Sequence, residues 1–171
     1  MRLFNRAEKL LYDFKKDSYS HGDGALTGIG KTASGIDNKV ILFHGTFTGI
    51  ERYVDMIKKS LEKSGIKLDA MFRGSRPNTP RQDLLRITGN IKQSHTGLVI
   101  SLGGGSTIDA VKAAIVLASL GGEVDDYLGT GMVTGKLKGS DSGLIPHIAC
   151  QTLAGSAAHL TRYSNITDLE K

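Results

Sequence analysis

The stretch VISLGGGSTIDAVKAA, residues 99–114, runs from a continuous apolar segment through three consecutive glycines into a segment of helical composition. Glycine in series costs backbone entropy, so a packed strand-to-helix junction carries it only where the missing side chains are useful. The apolar run from Thr96 to Leu102 is of the kind buried on both faces of a parallel sheet. The segment from Ser106 to Gly122 is apolar almost all round, which predicts a buried helix. At such a junction the first helical turn offers backbone N–H groups and the positive dipole end to an anion. With Gly103, Gly104 and Gly105 in place the backbone can touch a phosphate group directly, and Ser106 and Thr107 can donate hydroxyls or cap the helix. The run has neither the spaced glycines of ordinary dinucleotide folds nor the Lys-Ser/Thr ending of a P-loop. From the glycines alone a ligand cradle and a tight structural turn both stand; the strand before and the helix after favour the cradle.

Working outward, KVILFHG (39–45) reads as a strand ending at glycine, and GIERYVDMIKKSLEKSG (49–65) as a helix with Ile50, Val54, Ile57 and Leu61 on one face. IKLDAMF (66–72) can form a second strand. RPNTP (76–80) is a turn leading into a helix with Leu84, Leu85, Ile87 and Ile91 on its apolar side. GLIPHIAC (143–150) is a further buried strand after a Gly, Lys and Ser loop from about 129 to 143. Alternating strands and helices predict an α/β fold, a Rossmann-like parallel sheet flanked by helices, in one domain. An extra helix over 1–17, with Leu3, Ala7, Leu10, Leu11 and Phe14 at helical spacing, is expected to pack on that domain rather than lie on a membrane surface.

The 171 residues, 39% hydrophobic, are enough for a real core. No apolar run approaches the roughly 18 residues of a membrane span, and no signal-peptide pattern opens the chain, so a cytoplasmic protein without membrane contact is expected. The lone Cys150 reads as a buried thiol. The net charge of +5 is spread along the chain among acidic residues. With no arginine-rich run, no zinc-finger pattern and no Trp, nucleic-acid binding is not expected.

Asp109 and Lys112 stand three apart on the helix after the glycines, where they can pair or face the cleft. Asp109 is read as a first-turn acid that interacts with the dipole and fixes the glycine loop, Lys112 as a helix-surface ion pair. His147 and Cys150 are three apart on a strand and point to opposite faces, so they make no zinc site. His44 ends a strand near the presumed ligand edge, and His21 and His95 read as surface or turn residues. No Gly-x-Ser-x-Gly elbow surrounds Ser106, and Cys150 has no evident activating partner, which argues against a hydrolase.

SHGDGAL (20–26), RPNTP (76–80), SLGGGSTIDAVKA (101–113), DDYLG (125–129) and IPHIACQTLAGSAAHLTRYSNITD (145–168) follow one another along most of the chain. In that order they resemble the landmarks of the iron-containing alcohol dehydrogenases, whose N-terminal domain has the dehydroquinate synthase-like fold. The resemblance implies a two-domain NAD(P)-dependent enzyme acting on a small alcohol or aldehyde. Residues 1–171 would form the cofactor-binding domain, and a helical domain outside this chain would hold a divalent metal, iron or zinc, through one aspartate and three histidines. By matching position, Gly103, Gly104, Gly105 and Ser106 would contact the pyrophosphate with Asp109 beside them. Thr152, Leu153 and Ser156 would line the adenine–ribose side or the nicotinamide cleft, and Asn78 would lie near the adenosine.

The chain departs from the family pattern at two places. Gly45, in LFHGTF, stands where the family often has an aspartate that accepts hydrogen bonds from the ribose, and with no carboxylate to repel a 2′-phosphate, NADP joins NAD as a candidate. His159 stands where a glutamate is usual. No residue up to Lys171 matches the family's metal ligands, so the chain alone is expected to bind cofactor weakly and turn over nothing. A glycerol or sugar-alcohol dehydrogenase, a sugar-phosphate cyclase relative, and a nucleotide-binding module without catalysis remain as alternatives. The family pairs through an N-terminal strand region, here near Tyr19 to Leu26, which leaves a homodimer open.

Overall fold

The computed structural model describes residues 2–141 and 143–168. Four strands, β1 (Lys39–His44), β2 (Lys67–Arg73), β3 (Leu98–Gly103) and β4 (His147–Gln151), form one sheet in the order β2-β1-β3-β4. All three pairings are parallel. The alternation of strand and helix therefore yields the expected α/β architecture. Strand β3 is buried along its whole length, as its unbroken apolar sequence demands. Edge strand β2 alternates exposed and half-buried residues, and Asp69 on it pairs with Lys39 and Lys67 at 3.1 and 2.9 Å, charges that blunt an open edge.

Helix α3 (Ile50–Lys63) follows β1, α4 (Arg81–Ser94) follows β2, and α5 (Gly105–Leu120) follows β3. On one face of the sheet Val40, Leu42, Ile100 and Leu102 pack with Ile50, Val54, Ile57 and Leu61 of α3. On the other, Ile41, Phe43 and Val99 pack with Leu84, Ile87 and Ile91 of α4 and Ala110, Val111 and Ala114 of α5. The chain leaves β1 toward β2 on one side and then returns to place β3 on the other, so the strand order reverses between β1 and β3. In an open α/β sheet the crevice beyond the carboxyl ends at that point is where ligands lie.

Several expectations need correction. Helix α1 (Arg2–Lys15) forms but does not bury its apolar side: Leu10 and Phe14 are 62% and 67% exposed. Its Glu8, Leu11 and Tyr12 line a groove together with Lys16, Tyr19 and His21. The side chain of Leu3 lies outside the described residues. No strand forms near Tyr19 to Leu26; turns lead into a 3-10 segment, Ala25–Gly28, and a short helix α2 (Ile29–Ser34), which the sequence did not reveal. The strand-edge route to a homodimer thus lacks its strand. Helix α6 (Met132–Lys138) sits inside the segment read as a loop, of which Ser142 is outside the described residues. No helix among the described residues is long and apolar enough to cross a membrane.

Candidate functional site

Each of the first three strands runs into a glycine at its carboxyl end: Gly45 after β1, Gly74 after β2 and Gly103 closing β3. Backbone hydrogen bonds join these ends, Gly45 N–H donating to Leu102 at 2.8 Å and Gly74 N–H to His44 at 2.7 Å. Thr152, just past β4, donates its N–H to the Gly103 carbonyl at 3.0 Å.

The three glycines of the junction meet different constraints. A Cβ on Gly103 would lie 2.9 Å from Thr107 Cβ, and one on Gly105 would lie 2.7 and 2.8 Å from Ser156 Oγ and Cβ. Packing inside the chain thus gives each of these two glycines a reason of its own, beside the room the run could leave for a ligand. Only Gly104 is open, a Cβ there meeting Leu153 Cδ1 at 3.8 Å, and Leu153 is itself 68% exposed. Gly104 is the N-cap of α5, and no side chain caps the helix. Its backbone is extended, so openness and not handedness is what glycine contributes here.

Ser106 does not cap the helix either. Its Oγ accepts the N–H of Asn78 at 3.1 Å, and its carbonyl accepts Thr79 Oγ1 at 3.2 Å. The RPNTP turn is thereby clamped on the junction, with Asn78 and Thr79 both held in left-handed backbone, φ 64° and 51°. Asp83 fixes the other side of that turn, accepting the backbone N–H of Arg76 at 2.7 Å and its Nε at 3.1 Å. Burial pushes the Asp83 carboxyl up, but these two donors and the Arg76 charge outweigh it and hold it below the usual carboxylate range. Thr152 Oγ1 is buried beside the junction with no hydrogen-bond partner.

Gly45, Asn78, Gly103, Gly104, Gly105, Ser106, Thr152, Leu153 and Ser156 are thus grouped around one crevice. Asp109 is not aimed into it. The first turn of α5 holds no acid; Asp109 Oδ1 lies 2.9 Å from Lys112 Nζ, and Oδ2 accepts the N–H of Asn165 at 3.3 Å. Lys112 is more than a surface ion pair, because Nζ also donates to the carbonyls of Ala158 at 2.8 Å, Thr161 at 3.2 Å and Tyr163.

His159 Nδ1 pairs with Gln151 Oε1, its Nε2 lies 3.4 Å from Tyr19 Oη, and its ring stacks on Tyr19 at 5.6 Å. Burial, then the charges of Lys15 and Lys112, lower its pKa. It ties the N-terminal segment to the end of β4. His44 lines a shallow groove of about 220 Å³ with Ile50, Val54, Lys58 and Met71, beside Gly45. His147 and Cys150 do point to opposite faces, His147 Nε2 meeting buried Ser101 Oγ at 2.8 Å and Cys150 packing on the α3 side. Burial pushes the Cys150 thiol up to about 12, which leaves it unreactive.

The sequence signalled no role for Thr79 and only an ion pair for Lys112, it passed over Gly74, and it offered Thr107 as a hydroxyl donor or cap where the structure packs its side chain under Gly103 and Gly74. The strand-then-glycine pattern repeated in FHG, FRG and SLG was a signal for Gly74. The packing role of Thr107 carries none, since it is exerted through Gly103 and Gly74, the latter 33 residues away in sequence but with a Cβ position 2.6 Å from Thr107 Cγ2.

A four-stranded parallel sheet flanked by helices, with an uncapped glycine junction where the strand order reverses, defines an open α/β class with a Rossmann-like arrangement. Residues 17–171 match the family model of the iron-containing alcohol dehydrogenases, and the chain belongs to that family. It is 32% identical over 115 residues to alcohol dehydrogenase 4 of Saccharomyces cerevisiae, covering 67% of this chain and 28% of that protein. It is 30% identical over 149 residues to alcohol dehydrogenase 4 of Schizosaccharomyces pombe, covering 86% and 33%. Among solved structures, the alcohol dehydrogenase from Oenococcus oeni superposes with a TM-score of 0.72 at 26% identity, covering 88% of this chain and 38% of that one. The chain spans about a third of the length of the relatives it matches.

Proposed function

We propose that the crevice between the ends of β1 and β3 holds NAD or NADP, and that the chain is the cofactor-binding part of an alcohol dehydrogenase-type oxidoreductase moving hydride between a small alcohol or aldehyde and the nicotinamide. The observation that carries this reading is the Gly104 junction: an uncapped helix start at the switch point, with open space over the backbone and the unpartnered Thr152 hydroxyl beside it. The names of the relatives, alcohol dehydrogenases from two yeasts, support the reaction class.

In this reading the amides at the start of α5 take the pyrophosphate. Ser106 accepts from Asn78 and keeps its own proton to donate, and the Thr152 hydroxyl gains its missing partner. Gly45 lies on the adenosine side, where a Cβ would make only ordinary contacts at 3.8 Å. Packing does not force glycine there, and the absence of a carboxylate leaves room for a 2′-phosphate. The bound nicotinamide supplies the hydride acceptor or donor; the chain's residues bind and orient it. Among the described residues no group of three or more His, Cys, Asp and Glu side chains could hold a metal ion, so no step runs through one here.

Calorimetric titration with NADP and with NAD tests the proposal. Gly104→Asp, which sets a carboxylate against the phosphates, should abolish binding, and Gly45→Asp should weaken NADP about tenfold more than NAD, roughly 1.4 kcal/mol. Unchanged affinity in Gly104→Asp would move the nucleotide away from the junction and sink the assignment.

A further inference from the structure

We infer that Lys112 is a positioning residue for the nucleotide crevice: it touches no ligand, but pegs residues 158–165 to α5 and so sets the wall that Leu153 and Ser156 form over the glycine junction. The inference rests on the reading of that crevice as a nucleotide site.

Gly105, Asp109 and Lys112 are spaced four and three residues apart, so they share one face of α5 over two turns. That whole face is given to the returning segment. Gly105 lets Ser156 sit within 2.8 Å of where a Cβ would be, Asp109 accepts the Asn165 N–H, and Lys112 reaches three carbonyls. Between Thr152 and Asp168 the described residues form no helix or strand, so the carbonyls of buried Ala158 and of exposed Thr161 and Tyr163 have no ladder of their own. The ammonium of Lys112 replaces that ladder. Its three protons go to Ala158, Thr161 and Tyr163, and Asp109 is held by charge at 2.9 Å, leaving Oδ1 without a hydrogen bond of its own.

The pull is transmitted over a short path. Ala158, which is 3% exposed, gives its carbonyl to Lys112 and its N–H to Ser156 Oγ at 3.4 Å. Ser156 rests on Gly105, next to the open backbone of Gly104. Further along, Thr167 exchanges backbone hydrogen bonds of 3.0 Å with Thr79 and Arg81, which ties the same segment to the turn clamped by Ser106. Lys112 stands about 10 Å along the helix from its start, at 1.5 Å per residue, with its donors already engaged.

The test uses the 171-residue chain and two readouts: calorimetric titration with NADP and NAD, and hydrogen exchange followed by peptide. Lys112→Met should weaken nucleotide binding tenfold or more and speed exchange across 156–165 at least tenfold, while peptides of β3 and α3 keep their protection. Gly105→Ala, which pushes on Ser156, should weaken binding to a similar degree. The double variant should bind no more weakly than the worse single one, because both displace the same wall. Should Lys112→Met lower protection throughout the chain, Asp109→Asn is put through the same readouts, with faster exchange at Asn165 and weaker binding expected. Wild-type affinity in Lys112→Met overturns the inference. So does an additive loss with Gly105→Ala at unchanged exchange, which would mean that Lys112 meets the nucleotide directly. A wild-type chain that binds neither nucleotide sinks the function proposed above; the peg is then judged by exchange alone, and unchanged exchange over 156–165 overturns it.

Discussion

His147 shows how a residue that reads as bland in the sequence acquires a physical role from its neighbours. It sits on β4 against Ser101 of β3, and burial, with a smaller contribution from the Lys112 charge, lowers its pKa to about 4. The fold therefore favours the neutral ring, while the unfolded chain takes up a proton near the ordinary value of 6.5. Between those two values the unfolded state binds more protons than the native one, so stability falls as pH drops from 6.5 toward 4 and this contribution changes no further below that. The loss is on the order of 3 kcal/mol. Urea midpoints of wild type and His147→Gln across this window should converge as pH falls; a constant difference would show that the ring is not held neutral. The glycine run presents the same lesson at the next residue scale up. A strand-to-helix junction with bare backbone was legible in it, but which glycine is open and which two are filled depends on Thr107 and Ser156, and spacing cannot report such contacts.

At the scale of elements, period and punctuation carried most of the reading. The helix of Ile50, Val54, Ile57 and Leu61 ends where expected, with Gly65 in left-handed backbone at φ 69° just beyond it. The apolar run of β3 fell in the sheet centre. Helices α2 and α6, of six and seven residues, escaped because they are too short to show a period. What makes α2 form is tertiary: Gly30 lies so close to α3 that a Cβ would be 2.0 Å from the Ser60 carbonyl oxygen, and its N–H donates to Ser60 Oγ at 3.0 Å. Ser60 Oγ in turn donates to the Thr27 carbonyl at 2.6 Å. A backbone carbonyl within a helix cannot move aside, so Gly30→Ala must part the two helices. Denaturant unfolding should register a loss of about 1–3 kcal/mol, the usual cost of overpacking. A loss under about 0.5 kcal/mol would mean that α2 can lift from α3 without consequence.

At the scale of the whole molecule, the order of strands was not legible, because a right-handed crossover can place the next strand on either side of the last. The reversal between β1 and β3, and with it the crevice, became visible only in the sheet. The largest misreading also lies at this scale. The spacing of Ala7, Leu10, Leu11 and Phe14 is that of a core-packing helix, yet a period states only that one face is apolar and says nothing of what covers it. Among the described residues neither core cluster includes a side chain of α1: one begins at Ile29, with Leu26 at its margin, and the other at Ile41. An isolated 14-residue helix is marginal in water, so α1 adds little stability of its own. Its attachment is through the neighbourhood of Tyr19 and His21, which His159 already anchors to the end of β4. Removal of residues 1–16 should therefore shift the melting temperature by less than about 3 °C, equivalent to about 1 kcal/mol for a chain of this size, and leave nucleotide affinity unchanged. A fall of roughly 10 °C would place α1 against the body of the domain, and would return its apolar stripe to the role its spacing first suggested.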